Sequence, residues 1–480
     1  VFKKAHLKSL LGSILIGAMA AISTPAMATN EAMLDLLKIL RDKGSITAEE
    51  YNILANATKA DAEKAEGLAS EIKADVAKAT KDMPKITTKG KFIVESADGD
   101  WKFQPIGRIM WDYIASDRDG GAVGTYGDSG YELRRARIGI EGQFKPISWK
   151  TEVDFADDNN PAWKDVWIAY NGKSNYGKWW LKFGQAHTAF GHATISSSKY
   201  MPLMNRPLFA DGPQHSRRVG VSAYHQADRW FAHASAQVPA LNDDNVASST
   251  EDRKTYAFRI GGTPIMKDDK HQLHIGGSYM HEELNGDTFN NIDNNLVSHL
   301  GDGDQLEFDT SEGGLGGTKD VDAYGAEVIG VWGSLHGVFE YTMWDTNNTA
   351  GDADLDGYAF DVGYFFTGES MKFKNNGQFS GISPKNAVGK GGIGAWQIAM
   401  RYESMDLRDG VFDGGEADVF TVGLNWHPTS NTRLMADYAT VLDYDCGTAA
   451  GGTIAGTTKT CDGITGEEAS AFQVRAMMYY

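Results

Sequence analysis

From about residue 90 to residue 480 the side chains alternate between apolar and polar, and this period of two narrows the fold more than any other feature. In the stretch 101–113, Trp101, Phe103, Ile109, Trp111 and Tyr113 share one face, and Lys102, Gln104, Arg108 and Asp112 share the other. Tyr358, Phe360, Val362, Tyr364 and Phe366 oppose Asp361 in the same way. Trp396, Ile398, Met400 and Tyr402 oppose Gln397, Arg401 and Glu403, and Phe420, Val422, Leu424 and Trp426 oppose Thr421, Asn425 and His427. Such a chain makes strands with one greasy and one wet side. The segments fall at 101–114, 131–144, 147–157, 163–171, 177–185, 217–226, 229–238, 255–264, 271–283, 320–332, 334–345, 355–366, 393–406, 417–427, 432–443 and 468–480. Sixteen is an even number, as a closed bacterial barrel needs.

Composition separates a membrane barrel from a soluble one. Glycine is abundant (55), proline scarce (12), and aromatics reach 11%. The hydrophobic share, 41%, is low for a large interior core but fits a wall in which only alternate residues are apolar. A β-sandwich or β-helix would need turns every 8–12 residues or so and a larger apolar share. The aromatics instead gather near strand ends, as interfacial girdles do. The fold expected is an all-β transmembrane barrel of about 16 antiparallel strands. The tight links at 143–148 and 427–431, and long ones at 115–130, 186–216, 284–319, 367–392 and 444–467, are read as short periplasmic turns and long outer loops. The last strand puts Phe472, Val474, Ala476, Met478 and Tyr480 on one face and ends on an aromatic.

The first 90 residues differ. Lys3, Lys4 and Lys8 precede an apolar run from Leu10 to Ile22, too short to span a bilayer, and Ala26-Met27-Ala28 follows. Residues 1–28 therefore read as a signal peptide. Residues 29–84 are rich in Ala, Lys, Glu and Asp. Met33, Leu36, Leu37 and Leu40 recur at helical spacing, Gly44 stops that helix, and Thr47-Ala48-Glu49-Glu50 is a capping box that starts another. Ile53, Leu68, Ile72 and Val76 continue it, as a coiled coil or as a solvated spacer. The barrel domain is then 85–480, and the compartment is the outer membrane of a Gram-negative bacterium.

A net charge of −18 argues against nucleic acid, which demands clustered Lys and Arg. The two cysteines, Cys446 and Cys461, lie in one Gly/Thr-rich stretch of an exported chain. A disulfide is expected there rather than a metal site, since two thiolates without histidine do not fill a tetrahedral shell. No cofactor is implied. His187, His192 and His215 lack metal-binding spacing and read as pore-lining groups. His336 and His427, on inward strand faces, have no serine tied to them, and no Walker loop, dinucleotide fingerprint or nucleophile elbow is present. The chain is read as a channel and not as an enzyme.

Several motifs, in order and spacing together, resemble the phosphate-selective porin O and P family over residues 90–480. They are Gly107-Arg108-Ile109, Leu133-Arg134-Arg135-Ala136, Lys182-Phe183-Gly184-Gln185, Phe190-Gly191, Ser197-Ser198-Lys199, Thr367-Gly368-Glu369-Ser370, Gly394-Ala395-Trp396 and Gly423-Leu424-Asn425-Trp426. The N-terminal helical piece also resembles that family's. The resemblance implies a homotrimer in lipid and lipopolysaccharide, one pore per monomer and an inward-folded constriction loop. It also implies an anion held by Arg108, Arg134, Arg135 and Lys199 beside Asp165. Arg137, Arg206, His187, His192, Arg401 and Arg433 are further pore-lining candidates. Guanidinium forks suit phosphate oxygens; the alternative is that the same arginines pair lumen carboxylates such as Glu141, Glu152 and Asp154.

Alternation aims Arg108, Arg135 and Arg137 inward and Arg134 outward. An arginine in mid-bilayer on the lipid face would cost roughly 2–4 kcal/mol, so Arg134 is expected at a strand end or a bulge. One departure from the family stands out. The loop 284–319 carries Asp287, Asp293, Asp302, Asp304, Glu307, Asp309 and Glu312 and no Lys or Arg before Lys319, where the family's phosphate specialists carry an arginine ladder; Gln185 also stands where the family often has a base. The function expected is passive uptake of small anions such as phosphate or polyphosphate. The alternatives are a general diffusion porin without phosphate selectivity, and an envelope tether in which residues 29–84 bind peptidoglycan or a periplasmic partner.

Overall fold

The computed structural model describes residues 31–88, 90–118, 129–156, 161–211, 217–241, 253–284, 292–294, 296–300, 306–308, 317–410, 412–445 and 469–480. Residues 1–28 and both cysteines, Cys446 and Cys461, lie outside the described residues, as do His215 and most of the acidic positions of 284–319.

Sixteen long strands form the barrel. The first eight are β1 (Trp101–Arg118), β2 (Gly130–Phe144), β3 (Ile147–Asp154), β4 (Ala162–Ser174), β5 (Gly177–His187), β6 (Arg217–Gln226), β7 (Trp230–Val238) and β8 (Lys254–Asp268). The second eight are β9 (His271–Glu283), β10 (Thr318–Trp332), β11 (Leu335–Asn348), β12 (Gly351–Phe365), β13 (Ala395–Asp409), β14 (Phe412–His427), β15 (Thr432–Asp445) and β16 (Ala469–Tyr479). Each pairs antiparallel with the next, and β16 pairs back onto β1 from Ala469↔Arg118 to Tyr479↔Arg108, so no edge is left open. The seam explains one glycine of the first strand. Tyr480 and Gly107 exchange backbone hydrogen bonds of 3.2 and 3.4 Å, and a Cβ on Gly107 would lie 2.6 Å from the Tyr480 ring. Outward residues such as Ile109, Trp111, Ile138, Ile168, Phe183, Phe258 and Phe360 are exposed and form the lipid face.

The assignment of long links to the outer end needs a correction. The link 366–394 joins β12 to β13 at the end where the other connections are tight, as at 145–146, 269–270 and 333–334. It is thus periplasmic, and its length serves to fill the barrel from below. Its short paired strands, Lys372–Lys374 and Gln378–Ser380, carry Phe373 and Phe379, which bury with Met371 and Ile382 against Ile329, Val331, Val338 and Phe365 of the wall. Conversely, the outer links 349–350 and 410–411 are tight, because β11–β12 and β13–β14 run on as extended hairpins beyond the expected strand ends.

A second apolar cluster fills the outer half along β9–β16. Phe190, Leu208 and Phe209 of the link 188–216, with Leu296, Val297, Leu306 and Phe308 of the link 284–317, bury against Trp344, Leu355, Leu407, Phe412 and Val419. Three inserted segments therefore bury chiefly against β9–β16, while β2–β7 give no residue to either cluster, so β1–β6 form the more open wall.

The N-terminal residues form a separate unit. A helix over 31–42 is followed by a helix Ala48–Thr80, whose capping box is closed by Glu50 N to Thr47 Oγ1 at 3.2 Å and Thr47 N to Glu50 Oε2 at 2.7 Å. Leu37 and Ala55 are buried within this unit, whereas Met33, Leu36, Ile39, Ile53, Leu54, Leu68 and Ile72 are exposed.

Candidate functional site

Along β1–β5 the inward face is a ladder of charges. Lys150, Glu152 and Asp154 alternate down β3, opposite Arg137 and Glu141 of β2, with Arg108 of β1 one strand further round. Arg137 Nε donates to Asp154 at 2.6 Å, and Arg108 Nη2 approaches Glu152 at 3.5 Å. Asp165 of β4 sits between two cations, accepting from Lys150 Nζ at 2.5 Å and from Arg217 Nε, at the start of β6, at 3.0 Å. At the seam Asp112 takes a two-pronged contact of 2.7 and 2.5 Å from Arg475. Every carboxylate of this ladder except Glu141 thus touches a base.

Arg135 and Lys199 are left over beside this ladder. Among the described residues Arg135 makes no hydrogen bond or ion pair; the charges that act on it are those of Arg137, Arg134, Arg206 and Arg108, all of its own sign. Lys199 reaches in from the link 188–216 and, among the described residues, meets aromatic faces alone, Tyr200 at 5.5 Å and Tyr479 at 5.6 Å. Burial, then the Arg108 charge, pushes the Lys199 ammonium down to about 8. Beside it Ser198 Oγ accepts from Arg108 Nη1 at 3.0 Å, which ties the loop to the β1 wall.

Arg134 occupies a bulge. The β1–β2 register passes from Met110↔Arg135 to Trp111↔Leu133 and skips it, so two consecutive arginines turn away from lipid. Its guanidinium lies 3.2 Å from His299 Nε2 on the link 284–317 and 3.8 Å from Glu132. Burial, then the charges of Arg134, Arg475, Arg135 and Arg206, hold His299 well below the usual histidine range, so it stays neutral and accepts.

The constriction link is built from β5 into a four-residue helix, His192–Ile195, and a turn at Leu208–Asp211. Its backbone hangs on the covered wall. Glu340 of β11 accepts from His192 N at 2.7 Å and Ala193 N at 2.8 Å. Asp437 accepts from Met204 N, and Glu403 from Leu208 N, both at 2.7 Å. Arg401, gripped by Asp361 at 2.6 and 2.9 Å, donates to Asn205 O at 3.0 Å, and Arg433 donates to Met201 O and Pro202 O at 2.7 and 3.1 Å. Arg206 binds Ala193 O and Ser196 O within the loop, and His192 Nδ1 lies 2.8 Å from Gly377 O of the periplasmic hairpin.

The residues read from sequence therefore divide. Arg108, Arg134, Arg135, Arg137, Lys199 and Asp165 converge along the open wall. Arg206, His192, Arg401 and Arg433 each bond to loop backbone and so brace the inserted segments, and Arg206 and Arg401 also line a cavity with Asn205, His299, Glu403 and Asp437. His187 closes β5 opposite Arg217 instead of lying within the loop, and Gln185 donates to Trp163 O and Lys164 O at 2.8 and 2.9 Å, which makes it a strand tie. Sequence reasoning passed over Lys150 and Arg217. Lys150 was recoverable, since it alternates with Glu152 and Asp154 on one face; Arg217 had no such signal, because it opens a strand after a long link.

The comparisons with known proteins bear on this arrangement. The family model described as "Phosphate-selective porin O and P" matches residues 103–459. Porin O of Pseudomonas aeruginosa is 26% identical over 395 residues, spanning 74% of this chain and 86% of that protein. An uncharacterized protein of Caulobacter vibrioides is 28% identical over 375 residues, spanning 75% of this chain and 72% of its own. Among solved structures, an anion-selective porin from Comamonas acidovorans aligns with 79% of this chain and 100% of its own at 13% identity and a TM-score of 0.47. At those values the last likeness adds nothing to the strand ladder itself.

Proposed function

The chain belongs to the phosphate-selective porin O and P family and is an outer-membrane porin, and from that premise we propose that its channel passes small anions, phosphate among them. The observation that carries the reading is that two lumen cations beside Arg108, Arg137 and Arg217, namely Arg135 and Lys199, contact no carboxylate among the described residues. Each can replace part of an anion's hydration shell. Distant carboxylates weigh less, because screening limits them to about 8–10 Å at physiological salt. Asp165, held between Lys150 and Arg217, orients those two donors without cancelling the others.

Reversal potentials in a KCl gradient across a planar bilayer test this, repeated with millimolar phosphate. Anion selectivity with phosphate block of the chloride current is the expected result. Cation selectivity without block would leave a general diffusion porin, a reading favoured by the Glu152, Asp154 and Asp165 pairs that neutralise much of the ladder. A homotrimer is part of the same proposal; mild crosslinking of unheated, detergent-extracted protein yielding only the monomer mass would refute it.

A further inference from the structure

Between the constriction link and the link 284–317 the lumen keeps a cavity of about 80 Å³, set against β13–β16. Glu403 of β13, Thr421 of β14 and Asp437 of β15, all buried, form its floor. Its open side is formed by Asn205, Arg206 and His299, which are half-buried. That side adjoins the cations of the open wall: His299 Nε2 lies 3.2 Å from Arg134, and the charge of Arg206 acts on Arg135. The bases behind the floor are already engaged. Arg401 holds Asp361, Arg475 holds Asp112, and Arg433 donates to Met201 O, Pro202 O and Asn425 Oδ1. The acceptors are not all used. Asp437 gives Oδ2 to Met204 N at 2.7 Å and leaves Oδ1 without a hydrogen-bond partner among the described residues. Asn205 directs Nδ2 to Gln473 Oε1 at 3.5 Å, and its Oδ1 is left in the same state.

A buried carboxylate oxygen without a donor is costly, and a group that brings the donor recovers that cost. The cavity is short of donors and negative at its floor, and positive at its open side. Such polarity selects a dipolar solute. An ammonium carries three donors and a positive charge to the floor, while an acid group on the same short chain stays with Arg206, Arg134 and Arg135. The volume is that of about two or three waters, which admits an aminoethyl arm but not a trimethylammonium head. We propose that this cavity binds the ammonium end of small aminoalkyl phosphates, with Asp437 and Asn205 as its acceptors and the phosphate on the neighbouring cations. The site rests on the anion-channel reading above.

The experiment compares three blockers of KCl current through the full chain in planar bilayers. They are phosphoethanolamine, ethyl phosphate, which lacks the ammonium, and phosphocholine, whose quaternary nitrogen has no N–H. Charge alone ranks ethyl phosphate first, because it is the more negative anion. The cavity reverses that order: half-block by phosphoethanolamine is expected at a concentration about three- to tenfold lower than by either of the others. Asp437→Asn keeps an acceptor for Met204 N but removes the charge, and should abolish the preference. Asn205→Ala, in the link and not in the wall, should lower it about two- to threefold, and serves if Asp437→Asn fails to reach the heat-modifiable folded form. Block by inorganic phosphate should move less than about twofold in both. Ethyl phosphate or phosphocholine blocking as well as phosphoethanolamine in the natural protein would overturn the site, as would a preference unmoved in the folded variants. Block by inorganic phosphate would in that case keep the anion reading intact. A phosphoethanolamine preference without block by inorganic phosphate would remove the phosphate reading and leave the cavity standing.

Discussion

The two walls of the lumen are built from the same residue types and use them for opposite ends. On the covered wall, β9–β16, buried charges spend themselves on the backbone of an inserted loop: Glu340, Glu403 and Asp437 take its N–H groups, and Arg401 and Arg433 take its carbonyls. On the open wall, β1–β6, charges pair side chain to side chain and leave Arg135 and Lys199 with positive charge to spare. A loop folded into a barrel brings many peptide groups away from water, and each needs a partner. The strands it lies on supply them. An inward arginine is therefore a brace or a selectivity element according to what the loops do, and strand periodicity cannot separate the two.

Substitution on the covered wall should cost stability before selectivity. Arg401→Ala leaves Asp361 and Glu403 facing each other across a buried space and Asn205 O without its donor, so a loss of about 3–5 kcal/mol is expected. Urea unfolding of the detergent-folded barrel measures it. A loss below about 1 kcal/mol would mean that Arg401 does not brace the loop, and the contrast between the walls would collapse. Gly377→Ala tests the lower brace. The hairpin tip has a φ of +68°, and a Cβ there would fall 2.3 Å from Arg259 Nη2, so the tip must withdraw. The expected outcome is a loss of about 1–3 kcal/mol with raised single-channel conductance, since the tip also holds His192 of the constriction link. Unchanged conductance would place the hairpin off the solute path.

Much of this was legible in the residues because a barrel wall is a local pattern. Sixteen segments follow from alternation alone, and the Arg134 bulge follows from the cost of an arginine in lipid. The covering segments were not legible in the same way. In Val328-Ile329-Gly330-Val331-Trp332 both faces are apolar, a departure from strict alternation that marks a wall buried on two sides, yet nothing local says which distant segment buries it. Phe373 and Phe379 likewise show an apolar hairpin without showing that it enters from the periplasmic end; that depends on counting strands correctly through 351–409. Arg401 and Arg433 share the alternation of lining residues that make no contact with a loop, which is why the sequence offers them as pore-lining candidates. Their carbonyl partners lie about 200 positions away in sequence and carry no side-chain signature.

On the open wall the order of effects should reverse. Arg135→Ala removes a cation that makes no contact with a carboxylate, so unfolding should shift by no more than about 0.5 kcal/mol in either direction. Phosphate block should weaken about five- to thirtyfold, the equivalent of roughly 1–2 kcal/mol for one charge-assisted contact. Bilayer titrations of phosphate against chloride current provide the readout. A large stability loss with selectivity unchanged would move Arg135 to the braces.

The smallest effect expected, and the sharpest, is a pH dependence at Lys199. This residue belongs to the constriction link and not to a spanning strand, and the groups acting on its ammonium are Arg108, Lys150, Glu152 and Glu141. Burial and the two like charges favour the neutral amine, which brings its titration to about 8. A lysine lowered in this way is charged below that value and loses its proton as pH rises through it, so the attraction for anions is present on the acid side. Between pH 7 and pH 9 its charged fraction falls from about nine-tenths to about one-tenth. Sulfate is the proper probe, because its charge is constant over that range while that of phosphate is not. Sulfate block should weaken by about two- to fivefold between those pH values, roughly 0.5–1 kcal/mol for one partly screened charge. Lys199→Arg keeps its charge at pH 9 and should give a flat profile at the strong level. Lys199→Gln should be flat at the weak level. A sloping profile retained in Lys199→Gln would assign the titration to another group and remove Lys199 from the anion site.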